Sequence, residues 1–126
     1  MENYHDHEIV KYEVNLKERL ITLFMKYTRS YNIYDCKVEF ADVFAHYFEN
    51  ALSGSIILEL VKGDIACFVK DNVELLSKHR NYLWPKDYDT LDELETFLTE
   101  GKYEYYIIMS SYGLSGWILS KGIQKN

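Results

Sequence analysis

Proline occurs once in this chain, at Pro85, and glycine six times. No Pro/Gly/Ser-rich linker, low-complexity tract or internal repeat interrupts the sequence, so one domain over residues 1–126 is expected. Cysteine occurs twice, at Cys36 and Cys67. Two thiols so far apart exclude a zinc cluster of the usual spacing, and they fit a reducing compartment as buried side chains. No run of eighteen apolar residues is present, and Met1-Glu-Asn-Tyr-His5 carries neither the basic nor the apolar part of a secretion signal. A soluble, cytoplasmic protein is the expectation. Basic residues are outnumbered, 14 against 20 acidic, for a formal charge of −6. With no local Lys/Arg cluster to override it, that balance repels phosphate backbones and argues against nucleic acid as a partner.

What the chain has in excess is tyrosine, twelve of them. A tyrosine ring packs while its hydroxyl reaches water, which suits half-buried strand faces. The apolar pattern agrees. Val10, Tyr12, Val14 and Leu16 alternate with polar residues, and a second alternating run follows from Arg19 to Met25. Two period-two runs around Lys17-Glu18 predict a β-hairpin. A third run extends from Cys36 to Phe48, with Val38, Phe40, Phe44, His46 and Phe48 opposite Glu39, Val43 and Tyr47. Asp42 breaks its apolar face and predicts a bulge or a strand end there. Ser53-Gly54 turns the chain into a fourth strand, Ser55–Val61.

The period then changes. Ile65, Phe68, Val69, Val73 and Leu76 recur at three or four, a helical stripe interrupted at Lys70-Asp-Asn72 and ended by Trp84-Pro85. A cleaner helix starts at Thr90, whose hydroxyl forms a capping box with Glu93, and it ends at Gly101. Tyr103–Met109 and Trp117–Leu119 supply two more strands. Four strands, then helical segments, then two strands predict an α+β fold. Its largely antiparallel sheet has about six strands, with two or three helices packed on one face and inserted between strands 4 and 5.

The segment that most resembles a functional loop is Ser110-Ser-Tyr-Gly-Leu-Ser-Gly-Trp117. A nucleophile elbow needs Gly-x-Ser-x-Gly, and here Gly116 comes one place early. A phosphate loop needs a helix to follow, and Trp117-Ile-Leu119 reads as a strand. The segment is therefore read as a hairpin bend. His5-Asp-His7-Glu8 lacks the third histidine of a helix-borne zinc site, so no metal or other cofactor is expected. His79, beside Lys78 and Arg80, suits the negative end of a helix dipole. His46 alternates with phenylalanines. Together with Glu49 or Glu59 it could do acid–base work if strand order brought the groups together.

The strongest signal is a charge skew. From Lys86 to Glu104 there are seven carboxylates, Asp87, Asp89, Asp92, Glu93, Glu95, Glu100 and Glu104, against Lys86 and Lys102. Caps account for Asp92 and Glu93, and the rest exceed local need. Carboxylates around Tyr88 and Tyr103 would steer and grip a basic protein.

Asp42-Val-Phe-Ala-His-Tyr-Phe-Glu-Asn50, Asn81-Tyr-Leu-Trp-Pro85 and Ser110–Trp117 together resemble a family of small uncharacterised bacterial single-domain proteins, and more loosely the immunity proteins of toxin systems. The resemblance assigns no functional residue. Three functions are expected in descending order. The first is a non-enzymatic module that presents Asp87, Tyr88, Asp89, Asp92, Glu95, Glu100 and Tyr103 to a basic, toxin-like protein. A homo-oligomer, most simply a homodimer, comes second, and an enzyme using His46 with Glu49 or Glu59 third.

Overall fold

The computed structural model describes residues 4–125. Strands β1 (His7–Asn15) and β2 (Leu20–Tyr27) form the expected antiparallel hairpin. Asn15 closes its turn, its side-chain oxygen accepting from the Glu18 amide at 2.9 Å. One face of β2 supplies Ile21, Leu23 and Met25, all buried.

The next run divides where Asp42 takes φ 52°, a left-handed conformation that aspartate tolerates better than most residues. Its two halves are β3 (Cys36–Ala41) and β4 (Ala45–Glu49). β5 (Ile56–Gly63) leads to three short helices, α1 (Ile65–Asp71), α2 (Val73–His79) and α3 (Leu91–Glu100). β6 (Glu104–Tyr112), β7 (Ser115–Ser120) and β8 (Gly122–Lys125) complete the described chain.

Two expectations are corrected here. Among the described residues the sheet has eight strands rather than six, and the helices stand between β5 and β6, not between the fourth and fifth strands. One additional strand comes from the break at Asp42. The other is β8, whose Gly122-Ile-Gln-Lys125 holds a single large apolar residue and so has no alternation to detect. It is a strand because β3 offers a free edge, pairing Phe40 with Ile123 and Ala41 with Gly122.

All strand pairs are antiparallel, in the order β4-β7-β6-β5-β1-β2-β3-β8. The ends of that order meet. β4 continues β3 and β8 continues β7, and across the corner Phe44 N donates to Leu119 O while Lys121 N donates to Ala41 O. The β4–β7 ladder therefore runs on into the β3–β8 ladder, and the sheet closes into a barrel. Ile21, Leu23, Met25, Val38, Phe40, Ile57, Leu60, Tyr106, Ile108 and Ile118 fill its interior. Phe40 and Tyr106, on strands that are not neighbours, meet edge to face across it at 5.3 Å.

A second core lies outside the wall. Phe68, Leu76, Leu94 and Leu98 of the helices pack on Ala45, Tyr105, Trp117 and Leu119 of β4, β6 and β7. Asp64 caps α1 by accepting from the Cys67 amide at 2.8 Å, and Thr90 caps α3 by accepting from the Glu93 amide at 3.1 Å. At the far end of α3 the left-handed residue is Lys102, φ 61°, while Gly101 stays right-handed. Gly101 is instead required for space, since a Cβ there would meet the Tyr103 ring at 2.7 Å. The thiols are not in the core as expected: Cys67 is exposed and Cys36 half-buried. Among the described residues no helix is long and apolar enough to cross a membrane.

Candidate functional site

The glycine-serine segment is a tight bend between β6 and β7. Ser55, buried just before β5, organises it: its hydroxyl accepts from Leu114 N at 2.9 Å and donates to Leu52 O at 2.6 Å. Gly113 has φ 81° and lies so close that an added Cβ would overlap Ser55. Gly116 leaves no room for a Cβ against the Tyr47 carbonyl. Ser110 donates to the Leu114 carbonyl. These small residues are accounted for by close backbone approach, and none is arranged as a nucleophile.

His46 sits on β4 opposite Ile118. Alternation fixes its direction. Ala45 and Tyr47 face the helices, whereas His46 shares the barrel-facing side with Phe48, whose ring lies 5.0 Å away. Burial pushes its imidazole below the ordinary value. It borders a cleft of about 300 Å³ between the β1–β2 turn and the Trp84-Pro85 corner, walled by Val14, Leu16, Ile21 and Val43.

The proposed acid–base partners are elsewhere. Glu49 is exposed at the end of β4, on the opposite side of that strand from His46. Glu59 is exposed on the outer face of β5 beside Met109. Its neighbours Ile57 and Leu60 point inward instead. The three groups do not converge. His46 offers its ring nitrogens to a cleft that Asn15 and Arg19 also line, and among the described residues no carboxylate orients it.

Of the N-terminal histidines, His5 is exposed, with Nδ1 3.1 Å from Leu58 O. His7 is buried between Tyr4, 5.6 Å away, and Tyr27, 4.4 Å away. His79 packs edge to face against Trp84 at 5.3 Å. Among the described residues no group of three or more His, Cys, Asp or Glu is placed to hold a metal ion.

The acidic stretch sorts into four environments. Asp87 and Asp89 are exposed in the loop before α3. On α3, Leu94 and Leu98 face the core, so helical spacing turns Asp92, Glu93 and Glu100 together toward water. Glu95 is half-buried on the flank, where it lines a cleft of about 760 Å³ with Asp64, Thr99 and Glu104. Glu104 is already engaged, at 2.6 Å from Lys62 Nζ, and that contact raises the lysine pKa. Sequence reasoning did not find the pair, because it depends on the β5–β6 register, which sets Lys62 opposite Tyr106.

Two cations near the acidic face are held over rings. Lys86 Nζ lies 4.7 Å from the centre of Phe97, and Lys121 Nζ 5.0 Å from that of Tyr103. Among the described residues, Asp87, Asp89, Asp92, Glu93, Glu95 and Glu100 form no ion pair. The tyrosines are a correction. Tyr88 is 4% exposed, with the Arg80 guanidinium 5.0 Å from its ring centre, so it supports the loop rather than displaying itself. Arg80 also donates to the carbonyls of Tyr88 and Asp89, at 3.0 and 2.7 Å. Tyr103 is half-buried between Phe44 and Phe97.

No protein-family model matches this chain, and no curated protein does. Among solved structures, the chain is similar to the crystal structure of an uncharacterized protein from Neisseria gonorrhoeae, with a TM-score of 0.55 and 13% identity over 99% of this chain and 95% of that one. What the two proteins share at that identity is the fold.

Proposed function

We propose that this protein is a non-enzymatic binding module whose acidic α3 face takes a basic protein partner. One observation carries the reading: Asp87, Asp89, Asp92, Glu93, Glu95 and Glu100 form no ion pair among the described residues, and the outer side of α3 turns Asp92, Glu93 and Glu100 toward water together. Such a surface attracts cationic partners over several ångströms and raises association rates. His46, without a converging carboxylate, gives no comparable support to catalysis. The loose likeness to immunity proteins points to a basic, toxin-like protein as the partner class.

The test compares the native chain with Asp92→Asn/Glu93→Gln/Glu100→Gln as affinity baits in extracts of the source organism. The native bait is expected to retain a defined basic protein that the neutralised bait loses and that moderate salt releases. Identical retention by the two baits overturns the reading.

A further inference from the structure

Among the described residues β4 has no strand beside it away from β7, β8 has none away from β3, and the longest such stretch inside the strand order lies along β1. That strand meets β5 at one position, Glu8 opposite Ile56, reinforced by Ile9 N donating to Ser55 O. From Val10 to Asn15 its side away from β2 has no strand beside it among the described residues. Residues 11–15 are all exposed, although the residues opposite them on β2 include the buried Leu23 and Ile21. Tyr12 is 40% exposed and Val14 37%. An open edge of this kind is a template for another strand.

We propose that the strand it takes is β1 of a second copy, antiparallel and centred on Tyr12. The segment reads Val10-Lys11-Tyr12-Glu13-Val14, which is chemically the same in both directions once opposite charges are matched. Two-fold pairing at Tyr12 sets Val10 opposite the partner's Val14, Lys11 opposite the partner's Glu13, and the two tyrosines opposite each other. Lys11 and Glu13 already share one side of the strand, with Nζ and Oε2 3.8 Å apart. Slipping the pairing two residues one way sets Lys11 against Lys11, and two the other way sets Glu13 against Glu13. Charge therefore selects the centred register.

A lysine and a bulge on an edge, both present here at Lys11 and between Ile9 and Lys11, ordinarily discourage pairing. Glu13 cancels that discouragement for a copy of the same strand and for few others. The surface is separate from the acidic α3 face and does not depend on its role. One strand pair buries less than a standard interface, so association in the micromolar range is expected.

Sedimentation equilibrium across the micromolar range tests this with native protein, Lys11→Glu, Glu13→Lys and the double exchange Lys11→Glu/Glu13→Lys. The native chain is expected to dimerise. Each single reversal puts two like-charged contacts at the interface and weakens the dimer by about tenfold or more. The double exchange restores it. Both substituted positions are solvent-facing, and circular dichroism confirms that each variant is folded. A native chain that stays monomeric overturns the proposal, as does a dimer indifferent to either single reversal or a double exchange that fails to recover.

Discussion

The wall formed by β6 and β7 holds continuous apolar runs, Tyr105–Met109 and Trp117–Leu119, whereas the far half of β1 alternates apolar with polar, and the two end in opposite environments. Along β7, Trp117, Ile118 and Leu119 are all buried, one side by the interior and the other by helices. Along β1, the five residues Lys11–Asn15 are exposed although Tyr12 and Val14 alternate as neatly as any pair in the chain. Alternation predicts that a strand exists and which residues share a side. What lies against that side depends on partners distant in sequence.

The contrast is sharpest under truncation. Phe68 is fully buried and meets Trp117 and Tyr105 ring to ring at 4.9 and 5.2 Å. Phe68→Ala should cost about 3–5 kcal/mol in chemical denaturation, whereas Val14→Ala on the wall left bare in the monomer should cost less than about 1 kcal/mol at concentrations below the dimer's range. Equal losses would mean that the β1 edge is covered in solution. Next comes Gly113→Ala, which adds a left-handed strain to an overlap with Ser55 and should cost about 2–3 kcal/mol by the same measurement. Thr90→Ala removes one cap from the helix-covered side and should cost about 1 kcal/mol.

The smallest effects are those of pH. His46 ionises less readily in the fold because it is partly buried. Its folded value lies below its unfolded one, so the native state binds fewer protons there and stability falls as pH drops from about 6.5 toward the folded value. His46→Gln should flatten that part of a stability–pH curve. Asp64 and Asp35 are lowered instead by hydrogen bonds, Asp64 chiefly from the Cys67 amide and Asp35 chiefly from the Asn32 side chain. What each contributes is present above its unfolded value and is lost as pH falls through the folded one. Asp64→Asn should therefore reduce the acid sensitivity of α1, read as the change in amide exchange at Cys67 and Phe68.

Local signals carried the sequence reading far in some places. Lys17-Glu18 announced the first hairpin, Thr90 and Glu93 the start of α3, and Asp42 a break in its strand. The count of strands failed because a break was not taken for a division and because β8 is held by β3 rather than by its own composition. The pairing of His46 with Glu49 was excluded by information already in the chain. Positions three apart on one strand point to opposite sides. Glu59 and Tyr88 were different cases, since the β5 bulges and the Arg80 contacts that place them are tertiary. The exposure of Asp92, Glu93 and Glu100 followed from helical spacing, and the loss of Glu104 to Lys62 did not.

The closing ladder has a consequence for biogenesis. The strand that seals β3 is the last of the eight to be synthesised, so a nascent chain leaving the ribosome carries an unsealed cylinder until that segment emerges. During this interval β3 lacks β8 and β4 lacks β7. Chaperone engagement is expected to peak there, and a stall placed just upstream of Ser115 should trap a protease-sensitive form.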